Sequence, residues 1–480
     1  MRREDDILPD VTEASSTPVR RYSPAIALVL ALAAFMQNLD GAIINTSLPQ
    51  MARSFGVTAL DLSLGITAYM LASAAMSPLA SWLAIKAGER RVMVLAMLVF
   101  TAASVWCGLA RGLPEFVLAR IAQGLAAAVM SPVGMTIMLR YTPKSELMRA
   151  QSVTVWPALS APVIGPVLGG YITQTIGWQW NFWLNLPVGL IAALAILKVV
   201  PPTPPEDAPP LDWKGLVLCA VALTCLLAGF QRSPEPGSER FLAFGLMISG
   251  AVAGVFAVRH LRAHETPILS LEPLKRASMR YGALYPGLVF RCLFSSAPFL
   301  LPLLFQIGFG LSPAVAGSWM LGYFCANLGL KPFTSAILRR FGFRNVLFFN
   351  GLLAALSLLV CVFVSPHESV LLLVLTLVFA GATRSMELTA LSTVMFADVS
   401  ADERRAAAGV SSILQQAASA AGVPVMAFCL SVAQTAYGHA HLGLAELRVA
   451  FLVSAVLALV AAVGFARMPE GLGSEMTGRV

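Results

Sequence analysis

The run Ser23-Pro24-Ala25-Ile26-Ala27-Leu28-Val29-Leu30-Ala31-Leu32-Ala33-Ala34-Phe35-Met36-Gln37-Asn38-Leu39-Asp40-Gly41-Ala42-Ile43-Ile44-Asn45-Thr46-Ser47-Leu48 decides how this chain is read. Its only charged residue is Asp40. At about 1.5 Å per helical residue it is long enough to cross a hydrocarbon core of about 30 Å. It is too long for a signal-peptide core, and no small-residue cleavage pattern follows a short core, so it reads as a first membrane span. Residues 1–22 before it are polar and mixed in charge, which predicts a cytoplasmic tail.

The same length criterion, carried outward, finds further spans near 62–84, 92–110, 115–138, 151–173 and 181–199, making six in the first 200 residues. The Pro-rich stretch Pro201-Pro202-Thr203-Pro204-Pro205, with Pro209 and Pro210, cannot continue a helix and reads as a linker. Spans near 215–230 and 241–260 follow, then a charged connector from Arg262 to Arg280, then six spans near 281–304, 313–337, 345–364, 369–393, 406–433 and 446–466. The expectation is an all-α polytopic membrane protein of fourteen transmembrane helices. Its parts are a tail 1–22, an N-terminal six-helix bundle 23–200, a cytoplasmic linker 201–214, two inserted spans 215–262, a cytoplasmic connector 263–280, a C-terminal six-helix bundle 281–467 and a cytoplasmic tail 468–480.

Composition agrees. The 480 residues are 57% apolar and 12% charged, about half the charge of a soluble domain, and the mean hydropathy is +0.76. With a cytoplasmic N-terminus, 24 of the 33 Lys and Arg fall in inside segments and 5 in outside ones. A missed span would invert every later loop, so this bias supports both the even count and the orientation. The net charge of +8 therefore speaks of the lipid bilayer and not of nucleic acid. Seven cysteines, all in or beside apolar stretches, indicate no disulfide framework. Lys86-Ala87-Gly88-Glu89-Arg90-Arg91-Val92 matches Arg340-Phe341-Gly342-Phe343-Arg344-Asn345-Val346, each after the second span of its six, which suggests a duplicated unit.

Charge kept inside a span is costly and usually functional. Only Asp40 and Glu387 among the acids, and Arg120, Arg291, Lys331 and Arg384 among the bases, lie well inside spans. Asp40 and Arg120 sit at about 12 Å and 8 Å from the outer end of their helices and could face each other. Arg384 and Glu387, three apart, share a helical face and could pair with each other or with Arg291, as glue or as function. Lys331, two turns from Arg339, reads as snorkelling to the inner interface. In the fifth span Pro162, Gly165, Pro166, Gly169 and Gly170 mark a kinked helix that another backbone can approach. No lysine follows a glycine, so no Gly-Lys-Ser/Thr phosphate loop exists, and no cofactor, metal or catalytic set is expected. The five histidines lie in loops or at span ends, and the His439-Ala440-His441 pair is too few ligands for a metal site.

These motifs resemble the fourteen-span drug:proton antiporters of the major facilitator superfamily, the EmrB/QacA-like group. The first span carries Leu39-Asp40 and Asn45-Thr46-Ser47-Leu48-Pro49, the fourth Arg120-Ile121-Ala122-Gln123-Gly124, and the fifth Gly165-Pro166-Val167-Leu168-Gly169-Gly170. The sixth span opens with Trp178-Gln179-Trp180-Asn181-Phe182-Trp183-Leu184-Asn185-Leu186-Pro187. The resemblance implies two six-helix bundles with spans 1, 4, 9 and 12 around a central cavity, where Asp40, Arg120, Arg291, Arg384 and Glu387 all fall. It makes Asp40 and Glu387 candidate proton-coupling carboxylates, Arg120 a neighbour that tunes one of them, and the turns with Gly88, Arg90, Arg91, Gly342 and Arg344 a cytoplasmic gate. One departure stands out: the Asp usual in the first of these turns is Ile85.

The expected function is proton-driven export of small amphipathic compounds by alternating access in the cell's inner membrane. The partners are a small-molecule substrate, protons and lipid, and a periplasmic adaptor protein is left open. Two acids against three bases leave the cavity at +1 if all are ionised, so neutral or anionic substrates are expected at least as much as lipophilic cations. Proton-coupled uptake of a metabolite, and a sensor without transport, are the rival readings.

Overall fold

The computed structural model describes residues 24–474 apart from 143–145, 203, 205–209, 233–237, 266, 367, 401–402 and 440. The expected N-terminal tail, the middle of the Pro-rich linker, His367 and the last six residues lie outside the described set.

Helices account for the architecture. In chain order they are α1 (Pro24–Phe55), α2 (Ala59–Ala87), α3 (Glu89–Leu109), α4 (Leu113–Tyr141), α5 (Leu147–Thr175), α6 (Trp180–Trp183), α7 (Asn185–Val199), α8 (Trp213–Arg232) and α9 (Ser238–Ala263). After a connector come α10 (Ala277–Ala283), α11 (Gly287–Leu303), α12 (Pro313–Gly329), α13 (Lys331–Phe341), α14 (Phe343–Phe363), α15 (Val370–Val394), α16 (Arg404–Tyr437) and α17 (Leu444–Ala466). Among the described residues, twelve helical segments are long and apolar enough to cross a membrane. They are α1 to α4, α6 with α7, α8, α9, α10 with α11, and α14 to α17. Their apolarity is not spent on burial alone. α3 buries Met93, Met97 and Phe100, yet leaves Leu95, Val99 and Trp106 exposed, as a helix must when lipid is its outer solvent.

The remaining two expected spans are also helical. α5 is 29 residues long with Pro157, Pro162 and Pro166 inside it. The span expected at 313–337 is interrupted: α12 ends at Gly329, and α13 starts at Lys331 with Pro332 in its first turn. Pro332 has no N–H to donate to Leu328, which frees that carbonyl and lets the axis break at Leu330. The expected connector 263–280 already contains the start of α10, and residues 284–286 divide the ninth span.

The chain folds as two halves, α1–α7 and α10–α17, that repeat one another. Gly88 (φ 84°) joins α2 to α3, and Gly342 (φ 76°) joins α13 to α14, each in a backbone region that other residues rarely adopt. Two residues on, Arg90 donates to Leu197 O at the end of α7, and Arg344 donates to Ala466 O (2.8 Å) at the end of α17. In both halves the arginine after the glycine turn therefore caps the C-terminus of the last helix of its own bundle.

α8 packs on α9 and, outside the two halves, on α2 and α16. Trp82 meets Trp213 at 6.2 Å between ring centres and Phe230 meets Phe428 at 4.9 Å. Asp212 fixes the start of this pair, accepting from Gly215 N–H (2.8 Å) and bonding His260 of α9 (2.7 Å). Burial opposes its charge, but these contacts and Ile268 N–H hold the carboxyl below its usual range.

The halves meet along two seams, α5 with α12 and α2 with α16. On the first, a Cβ on Gly170 would lie 2.2 Å from Pro313 O, and one on Gly317 would lie 2.1 Å from Pro166 O. Beside it Gln306 donates to Thr46 O (2.9 Å) and accepts from Gln50 (3.2 Å). The halves are thus sealed at the end opposite the Gly88 and Gly342 turns. Because the obstruction is backbone, a larger side chain has nowhere to go. Gly317→Val is expected to cost about 1–3 kcal/mol and lower the midpoint of thermal unfolding, and an unchanged midpoint would contradict so close a seam.

Candidate functional site

In the N-terminal half the charges that sequence places inside spans meet. Arg120 of α4 and Asp40 of α1 form an ion pair at 2.7 Å with both side chains buried. Gln123, one turn from Arg120, accepts from it (2.6 Å) and donates to the other oxygen of Asp40 (2.8 Å). Asn185 of α7 donates to that same oxygen (3.0 Å) and to Ser104 of α3 (2.8 Å). Arg120 also reaches Gly65 O (3.4 Å), and the Tyr69 ring covers its guanidinium at 4.2 Å. Side chains of α4 and α7 thus give the carboxylate on α1 a cation and two amides, so the desolvated charge is compensated.

The C-terminal half is different. Arg384 and Glu387 do not pair. Glu387 is fully buried, with one oxygen accepting from Asn350 of α14 (2.6 Å) and the other without a partner. Arg384 lies against the rings of Tyr323 and Phe324, 5.6 and 5.8 Å from their centres. Arg291 of α11 donates to Ser392 (3.2 Å), and its Nε has no partner. Lys331, half-buried, donates to Thr389 of α15 (3.1 Å). Among the described residues, none of these four charges is in an ion pair.

Between the halves lies a cavity of about 820 Å³, within the range of small-molecule sites. α1, α2, α4, α11 and α16 line it through residues such as Gln37, Tyr69, Ser131, Arg291, Ser412 and Gln416. Its residues on α4 and α16 lie in the parts of those helices nearest the Gly88 and Gly342 turns, away from the sealed end. Of the five charged candidates, Arg291 is in the wall. Asp40 and Arg120 sit one layer behind, beneath Tyr69, while Glu387 is buried and Arg384 half-buried within the second half.

The fifth-span motif works on two neighbours at once. Gly165 and Gly169 face Ala42 and Ile43 of α1, whereas Pro166 and Gly170 face α12, so the motif joins its own half to the other. Asn181 ties the region together, donating to Ser47 (2.6 Å) and Thr173 (2.8 Å). At the other end, Gly88, Arg90, Gly342 and Arg344 make contacts within their own halves, as described, and Ile85 is exposed.

Sequence reasoning missed Tyr69, Asn350 and the uncharged polar wall of the cavity. A signal was present. Ser412, Gln415, Gln416 and Ser419 recur at helical spacing on α16, as do Tyr69, Ser73 and Ser77 on α2.

Two repeated helical halves around a membrane-embedded cavity define a multi-pass transporter. The family model described as Major Facilitator Superfamily matches residues 30–311 and 284–473, and the chain belongs to that family of non-enzymatic transporters. It is 30% identical over 456 residues to "Putative multidrug resistance protein MdtD" of Salmonella heidelberg, covering 93% of this chain and 95% of that one, and equally to its counterpart in Salmonella typhi. The fold is also that of solved structures of a POT peptide transporter bound to sulfate (TM-score 0.67, 15% identity, 94% and 98% of the two chains) and a D-xylose-proton symporter (0.64, 14%, 94% and 98%).

Removing one member of a buried ion pair strands the other. Arg120→Leu is expected to destabilise the protein by about 3–5 kcal/mol in chemical unfolding from detergent, and adding Asp40→Leu should recover part of that loss. Additive losses in the double variant would show that the pair is not coupled.

Proposed function

We propose that this chain is a proton-coupled antiporter that exports small amphipathic compounds by alternating access. It would cross the inner membrane fourteen times with both termini in the cytoplasm, as bundles 23–200 and 281–467 with the inserted pair 215–262 between them. α5 and the broken α12–α13 helix supply the two spans beyond the twelve apolar ones, and both form the seam between the halves. In this reading the basic loops are cytoplasmic, so the open end of the cavity would face the cytoplasm and the state would be inward-facing. The name of the similar Salmonella protein supports drug-like substrates.

The observation that carries the reading is the contrast between the two intramembrane carboxyls. A proton added to Asp40 would break an ion pair, whereas a proton added to Glu387 would remove a charge that has no counter-ion. Glu387 is therefore the proton carrier in this reading. Asp40 with Arg120 is a tie that holds α1, α4 and α7 together as the halves rock, and Tyr69 connects it to the cavity.

In proteoliposomes with an imposed pH gradient, Glu387→Gln is expected to lose gradient-driven substrate movement at least tenfold while keeping substrate exchange without a gradient. Asp40→Asn is expected to slow both. Full gradient-driven transport by both variants would end this assignment.

A further inference from the structure

The cavity wall has a composition that selects among substrates. Among the described residues it includes serines, glutamines, an asparagine and a tyrosine, one charged side chain, Arg291, and no Asp or Glu. Arg291 is 7% exposed and lacks a carboxylate partner among the described residues; it has one hydrogen bond, to Ser392, and its Nε donates to nothing. A guanidinium has five donors in a planar fork, so most of this one's capacity is unused.

A second, apolar pocket of about 420 Å³ adjoins the first and shares Gln37, Ser131 and Met135 with it. Met93, Met130, Met135 and Met138 line it. Methionine side chains are flexible and polarisable, so such a wall fits apolar bodies of differing shape.

We infer that the substrates are amphipathic anions, with a carboxylate or similar oxyanion bound at Arg291 and an apolar body lodged in the methionine pocket. This rests on the transport reading only in calling the ligand a substrate; the binding site stands on its own. A lipophilic cation would meet no carboxylate in the wall and would face Arg291, an arrangement that disfavours it.

A matched set of naphthylacetate, naphthylacetamide and naphthylethylamine separates charge from shape. With the full-length protein in lipid nanodiscs at neutral pH, equilibrium binding is expected to favour the acid over the amide by about tenfold, with the amine weakest. In Arg291→Gln the acid should fall to the affinity of the amide while the amide is unchanged, which also shows that the variant is folded. Should that variant bind neither, Arg291→Lys decides. Its acid-to-amide ratio should lie below that of the wild type, because an ammonium lacks the bidentate fork, and a ratio equal to the wild type's overturns the proposal. It is also overturned if the amine binds best, if acid and amide bind the wild type alike, or if the preference for acid survives in Arg291→Gln. Binding needs no gradient, so an Arg291-dependent acid preference without gradient-driven flux would remove the export reading and leave the anion site. Gradient-driven flux of the amine with no preference for acid would do the reverse.

Discussion

The ion pair of Asp40 with Arg120 is the contact around which the first half is assembled. Inside a bilayer no water solvates a charge, so an ionised side chain needs a counter-ion and hydrogen bonds from its own protein. Asp40 has both, with Arg120 on one oxygen and Gln123 and Asn185 on the other. These contacts tie α1 to α4 and α7.

The second half does not follow the same rule. Arg291, Lys331, Arg384 and Glu387 are held by Ser392, Thr389, aromatic rings and Asn350 in place of one another. Uncompensated charge is expensive to keep, and of these four residues Arg291 is the one in the cavity wall. The seam completes the design. Gly170 and Gly317 let α5 and α12 meet backbone to backbone at one end, while the polar cavity lies toward the other.

Much of this was legible in the sequence because lipid imposes simple rules. Span length, the bias of basic residues and the rarity of buried charge located Asp40, Arg120, Arg291, Arg384 and Glu387 and put Asp40 and Arg120 at depths where they could face each other. The duplicated glycine turns were legible too, since Gly88 and Gly342 need a backbone shape that few residues adopt. Pairing in the second half was not. Helical spacing put Arg384 and Glu387 on one face, but Asn350 from α14 and Tyr323 and Phe324 from α12 reach them first, and a local pattern does not reveal neighbours from other helices. The break at Leu330 escaped notice for a different reason. Apolar length outweighed the signal of Gly329 and Pro332, although the two together are sufficient to interrupt a helix.

The central claim is that Glu387, and not Asp40, takes up and gives up the proton. Infrared difference spectroscopy of the protein in lipid, cycled between acid and alkaline buffer, reads the carbonyl stretch of a protonated carboxyl directly. The account predicts that the band titrating with pH disappears in Glu387→Gln and remains in Asp40→Asn. A band that survives in Glu387→Gln and vanishes in Asp40→Asn would contradict it.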